Sequence, residues 1–347
     1  MKVLVSGGAG YIGSHTVVQL AEAGHEPVIV DNFSNSKPTV IDRVEQIIGH
    51  HVTWYRADLT DRAVTERIFL RERPDAVIHF AGFKAVGESV AEPLKYYENN
   101  LNTTFSLIHG MQASGCRLFA FSSSATVYGM APLPFTEEET DLSALSPYGY
   151  TKLAGERILT DIAAATDIRV ALLRYFNPVG AHPSGLIGEN PLGIPNNLMP
   201  AIANVATGRQ DMLHVFGNDY PTPDGTCVRD YLHVVDLADA HIAAVEWLSE
   251  HDVATRIWNL GTGRGTSVLE LVHAFERACG HKLPVEFAPR RPGDRDAYWA
   301  SAERARDELG WVAKRSVDDM CADTWHCQQG NPDGFPNGEP ASQPSQA

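Results

Sequence analysis

The chain has no paired-cysteine pattern. Its five cysteines, Cys116, Cys227, Cys279, Cys321 and Cys327, are odd in number and include no CxxC pair. That excludes a disulfide framework and is expected of free thiols in a reducing cytoplasm. His326 lies between Cys321 and Cys327, but the spacing fits no common zinc site, so no metal is expected. No apolar run approaches the ~20 residues of a membrane helix. Val3-Leu4-Val5 after Lys2 is too short for a signal peptide, which again points to a cytoplasmic protein. Positive charge is scarce, with 28 Lys and Arg against 43 Asp and Glu, a net charge of −15. This excludes a sequence-wide surface for nucleic acid or anionic membrane, but not a small anionic ligand held by a few arginines.

What is present begins at the first residues. Val3-Leu4-Val5 reads as a buried strand, followed by Gly7, Gly8, Gly10 and Gly13 and a helical pattern over 11–23. Without a Cβ such a turn can bring backbone N–H groups close to a pyrophosphate, at the positive end of the helix dipole. Gly8-x-Gly10-x-x-Gly13 alone is a common pattern. Its context adds a second apolar run, Val28–Val30, ending in Asp31, 18 residues after Gly13. That is the distance expected of an acid that accepts hydrogen bonds from an adenosine ribose, and an acid there repels the 2′-phosphate of NADP, so the expected cofactor is NAD.

The first half alternates candidate strands (2–6, 27–31, 52–56, 76–81, 118–122, 170–175) with helical patterns (40–48, 63–71, 93–114, 148–165). Strand–helix alternation of this kind predicts an α/β protein with a doubly wound, parallel Rossmann sheet. Ligands of such sheets sit at the carboxyl ends of the strands, where this chain carries Asp58, Ala81-Gly-Phe-Lys84, Ser122-Ser-Ser124 and Arg174-Tyr-Phe-Asn-Pro178. Five prolines between 178 and 200 mark a long irregular connection of the kind that binds ligands. Further helices (198–207, from about 235, 268–279, 302–309) and strands (213–216, 256–260, 284–287) then predict a smaller C-terminal α/β substrate lobe. The expected division is 1–177 for NAD, with some later elements able to return to that sheet, 178–330 for the substrate, and 331–347 as a poorly ordered tail rich in Gly, Pro, Ser and Gln. A second glycine run, Gly261-Thr-Gly263-Arg-Gly265-Thr266, is read as a structural turn before a helix capped by Ser267.

Tyr148 and Lys152 stand four apart at the start of a helical pattern and therefore share a face. A free tyrosine, with a pKa near ~10, is a poor base at neutral pH. A neighbouring ammonium, or the charge of an oxidised nicotinamide, favours the phenolate and turns the residue into an acid–base catalyst. Ser124, at the end of the fifth strand, is placed to bind the same substrate hydroxyl.

Together with Gly7-Gly-Ala-Gly-Tyr-Ile-Gly13 and Asp31-Asn-Phe-Ser-Asn-Ser36, this pair resembles the extended short-chain dehydrogenase/reductase family. Four further stretches resemble its UDP-glucose 4-epimerase branch, the galactose-pathway epimerases: Ser122-Ser-Ser-Ala-Thr-Val-Tyr-Gly129, Arg174-Tyr-Phe-Asn-Pro178, Asn196-Asn-Leu-Met-Pro200 and Val228-Arg-Asp-Tyr-Leu-His-Val234. The resemblance runs from Met1 to about Phe335. It implies interconversion of UDP-galactose and UDP-glucose through transient oxidation at C4 with tightly bound NAD. Tyr148 takes the 4-hydroxyl proton, Ser124 bonds the reacting oxygen, and Lys152 lowers the tyrosine pKa and holds the nicotinamide ribose. By the same matching Gly7, Gly10, Tyr11, Ile12, Gly13, Asp31, Asn32, Ser36, Asp58, Leu59, Phe80, Lys84, Asn99 and Phe176 are expected at the cofactor. Asn177, Asn197, Leu198, Phe216, Arg229, Arg291, Asp294 and Tyr298 are expected at the UDP-sugar. The bulk of Tyr298 implies a preference for UDP-glucose and UDP-galactose over N-acetylated sugars, and the family implies a homodimer packed through the helices at 93–114 and 148–165.

Other readings stay open at this level. An epimerase for UDP-uronates or UDP-N-acetylhexosamines shares these motifs. A nucleotide-sugar dehydratase shares the fold, but usually needs an Asp-Glu pair where Ala125 and Thr126 follow Ser124. A non-catalytic NAD-binding module would have no need of Ser124, Tyr148 and Lys152 together.

Overall fold

The computed structural model describes residues 1–191, 197–291 and 294–346. Part of the proline-rich connection, including Asn196, lies outside the described residues. Six strands of the first half alternate with helices: β1 (Lys2–Ser6), α1 (Tyr11–Glu22), β2 (Glu26–Asp31), α2 (Val40–Ile48), β3 (Thr53–Arg56), α3 (Arg62–Glu72), β4 (Ala76–His79), α4 (Val86–Ala91), α5 (Pro93–Ser114), β5 (Leu118–Ser122), α6 (Pro147–Ala165) and β6 (Arg169–Tyr175). The second half runs β7 (Asn177–Val179), α7 (Leu198–Ala206), β8 (Leu213–Phe216), β9 (Val228–Arg229), β10 (Tyr231–His233), α8 (Val234–Glu250), β11 (Thr255–Leu260), β12 (Thr266–Ser267), α9 (Val268–Cys279), β13 (Val285–Ala288), β14 (Ala297–Tyr298), α10 (Glu303–Leu309) and α11 (Val317–Gly330).

Seven strands form one parallel sheet in the order β11-β6-β5-β4-β1-β2-β3. The strands are buried on both faces, which is why they read as unbroken apolar runs rather than alternating ones. One face packs α1, α2 and α8 over Val3, Val5, Ile29 and Trp258. The other packs α3, α5 and α6 over Leu4, Val28, Phe119 and Leu172. The winding reverses between β1 and β4, which are neighbours in the register Ser6↔His79. In a doubly wound sheet that reversal opens the ligand crevice.

The expected return of later elements to this sheet is met by β11, which pairs along its length with β6 (Trp258↔Leu173) after the chain has visited the second lobe. That lobe has a separate core of Val179, Met199, Ile202, Leu213, Leu271, Phe275 and Met320 beneath α7, α9 and α11. Its small sheets pair β7 with β10, β8 with β13, and β9 with both β12 and β14.

Beyond Gly330 the chain lies against the first sheet, unlike the poorly ordered tail expected for 331–347. Helix α11 continues to Gly330, started by a capping box of Ser316 and Asp319. Residues 335–346 then lie along α2, β3 and α3. The holding contacts come largely from backbone groups and short polar side chains, which leave no hydrophobic periodicity to read.

Candidate active site

The turn after β1 is shaped by close approach. Gly7 has φ +72°, in the left-handed region, and a Cβ there would stand 2.9 Å from the Ala81 nitrogen at the end of β4. A Cβ on Gly13 would stand 2.2 Å from the Gly7 carbonyl oxygen. Helix α1 therefore starts hard against the turn. Its N-cap is Gly10, with no side-chain cap, and its first turn carries no acid. The leading N–H groups are left free for an anion, so the cradle fits a dinucleotide pyrophosphate.

Asp31 closes the side of this cradle. It is 8% exposed. It accepts hydrogen bonds from the Ala9 N–H (3.0 Å), the Phe33 N–H (2.8 Å) and the Ser36 hydroxyl (3.1 Å). Burial raises its pKa, and those bonds oppose the rise. A carboxylate has about four acceptor positions, so capacity remains for a ribose hydroxyl. Asn32 reaches Asp58 at 3.4 Å, and Thr60 bonds Asp58 through both N–H and hydroxyl. Leu59 is buried beneath them. Across the crevice, the Tyr11 hydroxyl donates to the Gly180 carbonyl (2.7 Å), Ile12 packs on the core below, and Phe80 lies against His241. Asn99 donates to Asn100, which bonds both the Phe83 backbone and Thr151 of α6.

The catalytic candidates meet at the carboxyl end of β5. Ser124 is 8% exposed and caps the short 3-10 turn Ala125–Tyr128. Pro147 begins α6 and Ser146 caps it, so Tyr148 and Lys152 project from its first turns. Lys152 donates to the Ser122 carbonyl at 2.6 Å, with its ammonium 6.0 Å from the centre of the Tyr148 ring. Burial pushes Lys152 down to about 8, opposed by Glu156. Burial also raises the Tyr148 pKa, with the Ser124 hydroxyl pulling the other way. Positive charge beside the ring opposes that rise and favours the phenolate.

On the second lobe, Arg229 and Tyr298 are register partners in adjacent strands. Asp294 joins the two arginines, at 3.6 Å from Arg229 and 3.0 Å from Arg291. Arg291 also lies 4.9 Å over the exposed Phe216 ring. Tyr298 stands edge-on to Phe135 (4.9 Å) and Phe176 (5.3 Å). Asn177 lies in β7, beside Tyr231. Asn197 is exposed at the N-cap of α7, whose first residue, Leu198, packs on the lobe core. Asn197 and Lys84 come together on Glu189, at 2.9 and 3.3 Å, bridging the two lobes.

Glu189 escaped the sequence reading because it lies in the irregular connection with no periodicity around it. So did the buried pair Glu156–Arg174, bonded through two N–H groups at 2.9 and 2.6 Å, with Ser123 also donating to Glu156. Glu156 stands four residues after Lys152, a spacing that does put it on the same helix face. The second glycine run is a structural turn: buried Asp230 accepts from Thr262 and the Gly263 N–H, and Ser267 with Glu270 forms a capping box for α9. Among the described residues no cluster of three or more metal-ligating side chains occurs, and no helix is long and apolar enough to cross a membrane.

Known proteins share this arrangement. Residues 4–324 match the family model described as GDP-mannose 4,6 dehydratase. A UDP-glucose 4-epimerase of Yersinia pestis is 55% identical over 339 residues, covering 97% of this chain and all of that protein. The crystal structure of the Bifidobacterium longum UDP-glucose 4-epimerase, in complex with NAD+ and UDP, superposes with a TM-score of 0.93 at 50% identity, covering 96% of this chain and all of that one. The Stenotrophomonas maltophila enzyme, crystallised with bound NAD and formylated UDP-arabinopyranose, gives a TM-score of 0.92 at 48% identity over 95% and 98% of the two chains. On that identity and coverage, the chain belongs to the UDP-glucose 4-epimerase family.

Proposed function

We propose that this chain is an NAD-dependent epimerase that interconverts UDP-galactose and UDP-glucose by inverting C4 of the sugar. The observation that carries this is the convergence of Ser124, Tyr148 and Lys152 at the end of β5, in a chain that also holds an uncapped glycine cradle and the Arg229–Asp294–Arg291 cluster. When bound, NAD supplies an acceptor and donor for the C4 hydride. Gly7, Gly10 and Gly13 give its pyrophosphate access to the start of α1, with Tyr11 and Ile12 behind them. Asp31, Asn32, Ser36, Asp58 and Leu59 line the adenosine side. Phe80, Lys84, Asn99 and Phe176 line the nicotinamide side.

Tyr148 accepts the proton of the sugar 4-hydroxyl and returns it when the oxygen is reprotonated. Ser124 hydrogen-bonds that oxygen, and Lys152 keeps positive charge beside the phenol. Arg229 and Arg291 neutralise the UDP diphosphate, with Asn177, Asn197, Leu198, Phe216 and Asp294 around the nucleotide. Tyr298 closes the space beside the sugar 2-substituent. A dehydratase lacks support here, because Ala125 and Thr126 place no acid beside Ser124.

The division of labour follows the chain. Residues 1–177, with the returning β11, hold NAD, and 178–330 hold the UDP-sugar. Exposed Leu94, Phe105 and Tyr150 on α5 and α6 support a homodimer through those helices, and free, unpaired thiols are in keeping with the cytoplasm.

The test is to mix purified protein with UDP-galactose, without added NAD. UDP-glucose is expected to form, and Tyr148→Phe is expected to abolish nearly all turnover while NAD stays bound. Absence of conversion with NAD confirmed in the protein would overturn the proposal.

A further inference from the structure

We infer that the C-terminal segment 335–346 is a strap that pins the adenosine-side loop 32–39 and so slows release of the dinucleotide; this rests on the NAD-binding reading above. The strap's partners lie in one region of the fold. Lys37 donates to the Phe335 carbonyl and Thr39 to the Pro336 carbonyl (2.8 Å). The Ala341 N–H donates to Asp42 (2.7 Å), and the Arg43 guanidinium lies 4.3 Å over the buried Phe335 ring. Glu339 pairs with Arg56, and Arg71 donates to the Gln346 carbonyl (2.7 Å).

The strap's main anchor is Trp54. Strand β3 is the free edge of the seven-stranded sheet. The Ser345 N–H donates to the Trp54 carbonyl (2.8 Å), and the Trp54 indole donates to the Ser342 hydroxyl (3.1 Å). The segment therefore satisfies backbone that an edge strand would otherwise leave open.

Trp54 and Arg56 then transmit the restraint inward. Phe33 rests its ring edge-on against Trp54 at 5.9 Å, and the Arg56 guanidinium covers the same ring at 5.1 Å. Phe33 has φ 57°, in the left-handed region, which a bulky residue holds only when its surroundings impose it. Its N–H donates to Asp31 Oδ1, and the Ser36 hydroxyl in the same loop donates to that same oxygen. The chain of contact therefore runs from the strap through Trp54 and Arg56 to Phe33, and from there to the acid at the ribose position.

Two variants test this. Deleting residues 338–347 removes the contacts to Trp54, Arg56, Asp42 and Arg71 but keeps Phe335 in its place. Ser345→Pro in the full chain removes the N–H donated to Trp54, together with the hydroxyl beside Tyr55, and leaves the rest of the strap in place. Each NAD-loaded protein is diluted into excess unlabelled NAD, and loss of radiolabelled NAD is followed. Release is expected to be about tenfold faster in the deletion and severalfold faster in Ser345→Pro, with turnover at saturating NAD unchanged. Amide exchange at Phe33 and Ser34, measured without cofactor, is expected to speed up in both. Unchanged release and unchanged exchange would overturn the strap. If the full-length chain binds no dinucleotide, the NAD reading fails instead, and the exchange at Phe33 and Ser34 still decides whether the segment restrains the loop.

Discussion

Replacing Arg174 by Met would isolate a charge that the fold has buried beside its catalytic candidates. Arg174 is 1% exposed and Glu156 is 4% exposed. Their two parallel bonds, at 2.9 and 2.6 Å, are nearly all that compensates either group for leaving water. Without the guanidinium, Glu156 keeps, among the described residues, the Ser123 hydroxyl as its side-chain hydrogen-bond donor. Removing one member of such a pair costs ~3–5 kcal/mol, because the survivor is an unpaired buried ion. Glu156→Gln should cost a similar amount. The double variant Arg174→Met/Glu156→Leu removes both ions of the pair, and should lie within ~1–2 kcal/mol of the parent. Urea unfolding of the four proteins at pH 7 measures this directly. If the double variant loses as much as the two single variants combined, or if each single variant loses less than ~1 kcal/mol, the assignment of this pair as a mutually dependent buried couple is wrong.

Three further outcomes follow from the geometry. Gly13→Ala places a methyl 2.2 Å from the Gly7 carbonyl oxygen, so the cradle must open. Dinucleotide retention on gel filtration should be lost while the far-ultraviolet dichroism stays parental, and retained cofactor would contradict the close-approach argument. Burial holds His15 and His79 at about 3 and His241 at about 4. The unfolded chain takes up their protons below ~6.5 and the folded chain does not, so their contribution is complete above pH 6.5 and declines as pH falls towards 4. The slope is ~1.4 kcal/mol per pH unit for each histidine, or ~4 for the three, and unfolding midpoints that stay flat from pH 7 to 5 would refute it. Tyr298, wedged between Phe135 and Phe176, should keep turnover of UDP-N-acetylglucosamine far below that of UDP-glucose; comparable rates in the wild type would remove it as the determinant, whereas Tyr298→Ala should narrow the gap.

The sheet was legible because its strands are fully buried and its glycines punctuate them. Val3-Leu4-Val5 and Leu118–Ser122 stand where the apolar runs put them. That Tyr148 and Lys152 share the start of one helix was legible from their spacing, and that Asp31 ends a strand from the apolar run before it. What sequence spacing does not carry is contact between distant segments. Glu189 meets Lys84 across 105 positions, and Ser345 meets Trp54 across the length of the chain. Asp230 gave no local signal either, since its partners Thr262 and Gly263 lie more than thirty residues away. Helix α11 was missed because its buried face is built largely from Cys321, Thr324 and Cys327, small residues that give little apolar contrast; Cys321 meets α9 and Cys327 meets Gly188.

The late arrival of β11 bears on how the molecule can be made. Its residues, Thr255–Leu260, complete the sheet on the outer side of β6, and α8 just before it covers α1. A ribosome that has delivered only the first 177 residues has therefore released a sheet with a bare β6 edge and an uncovered apolar face. Such a nascent chain is expected to remain bound by chaperones, or to aggregate when released early, until about eighty more residues have emerged. The sheet is closed midway through the second lobe, whose α9 and α11 still follow β11, so neither lobe is finished until most of the other has been made.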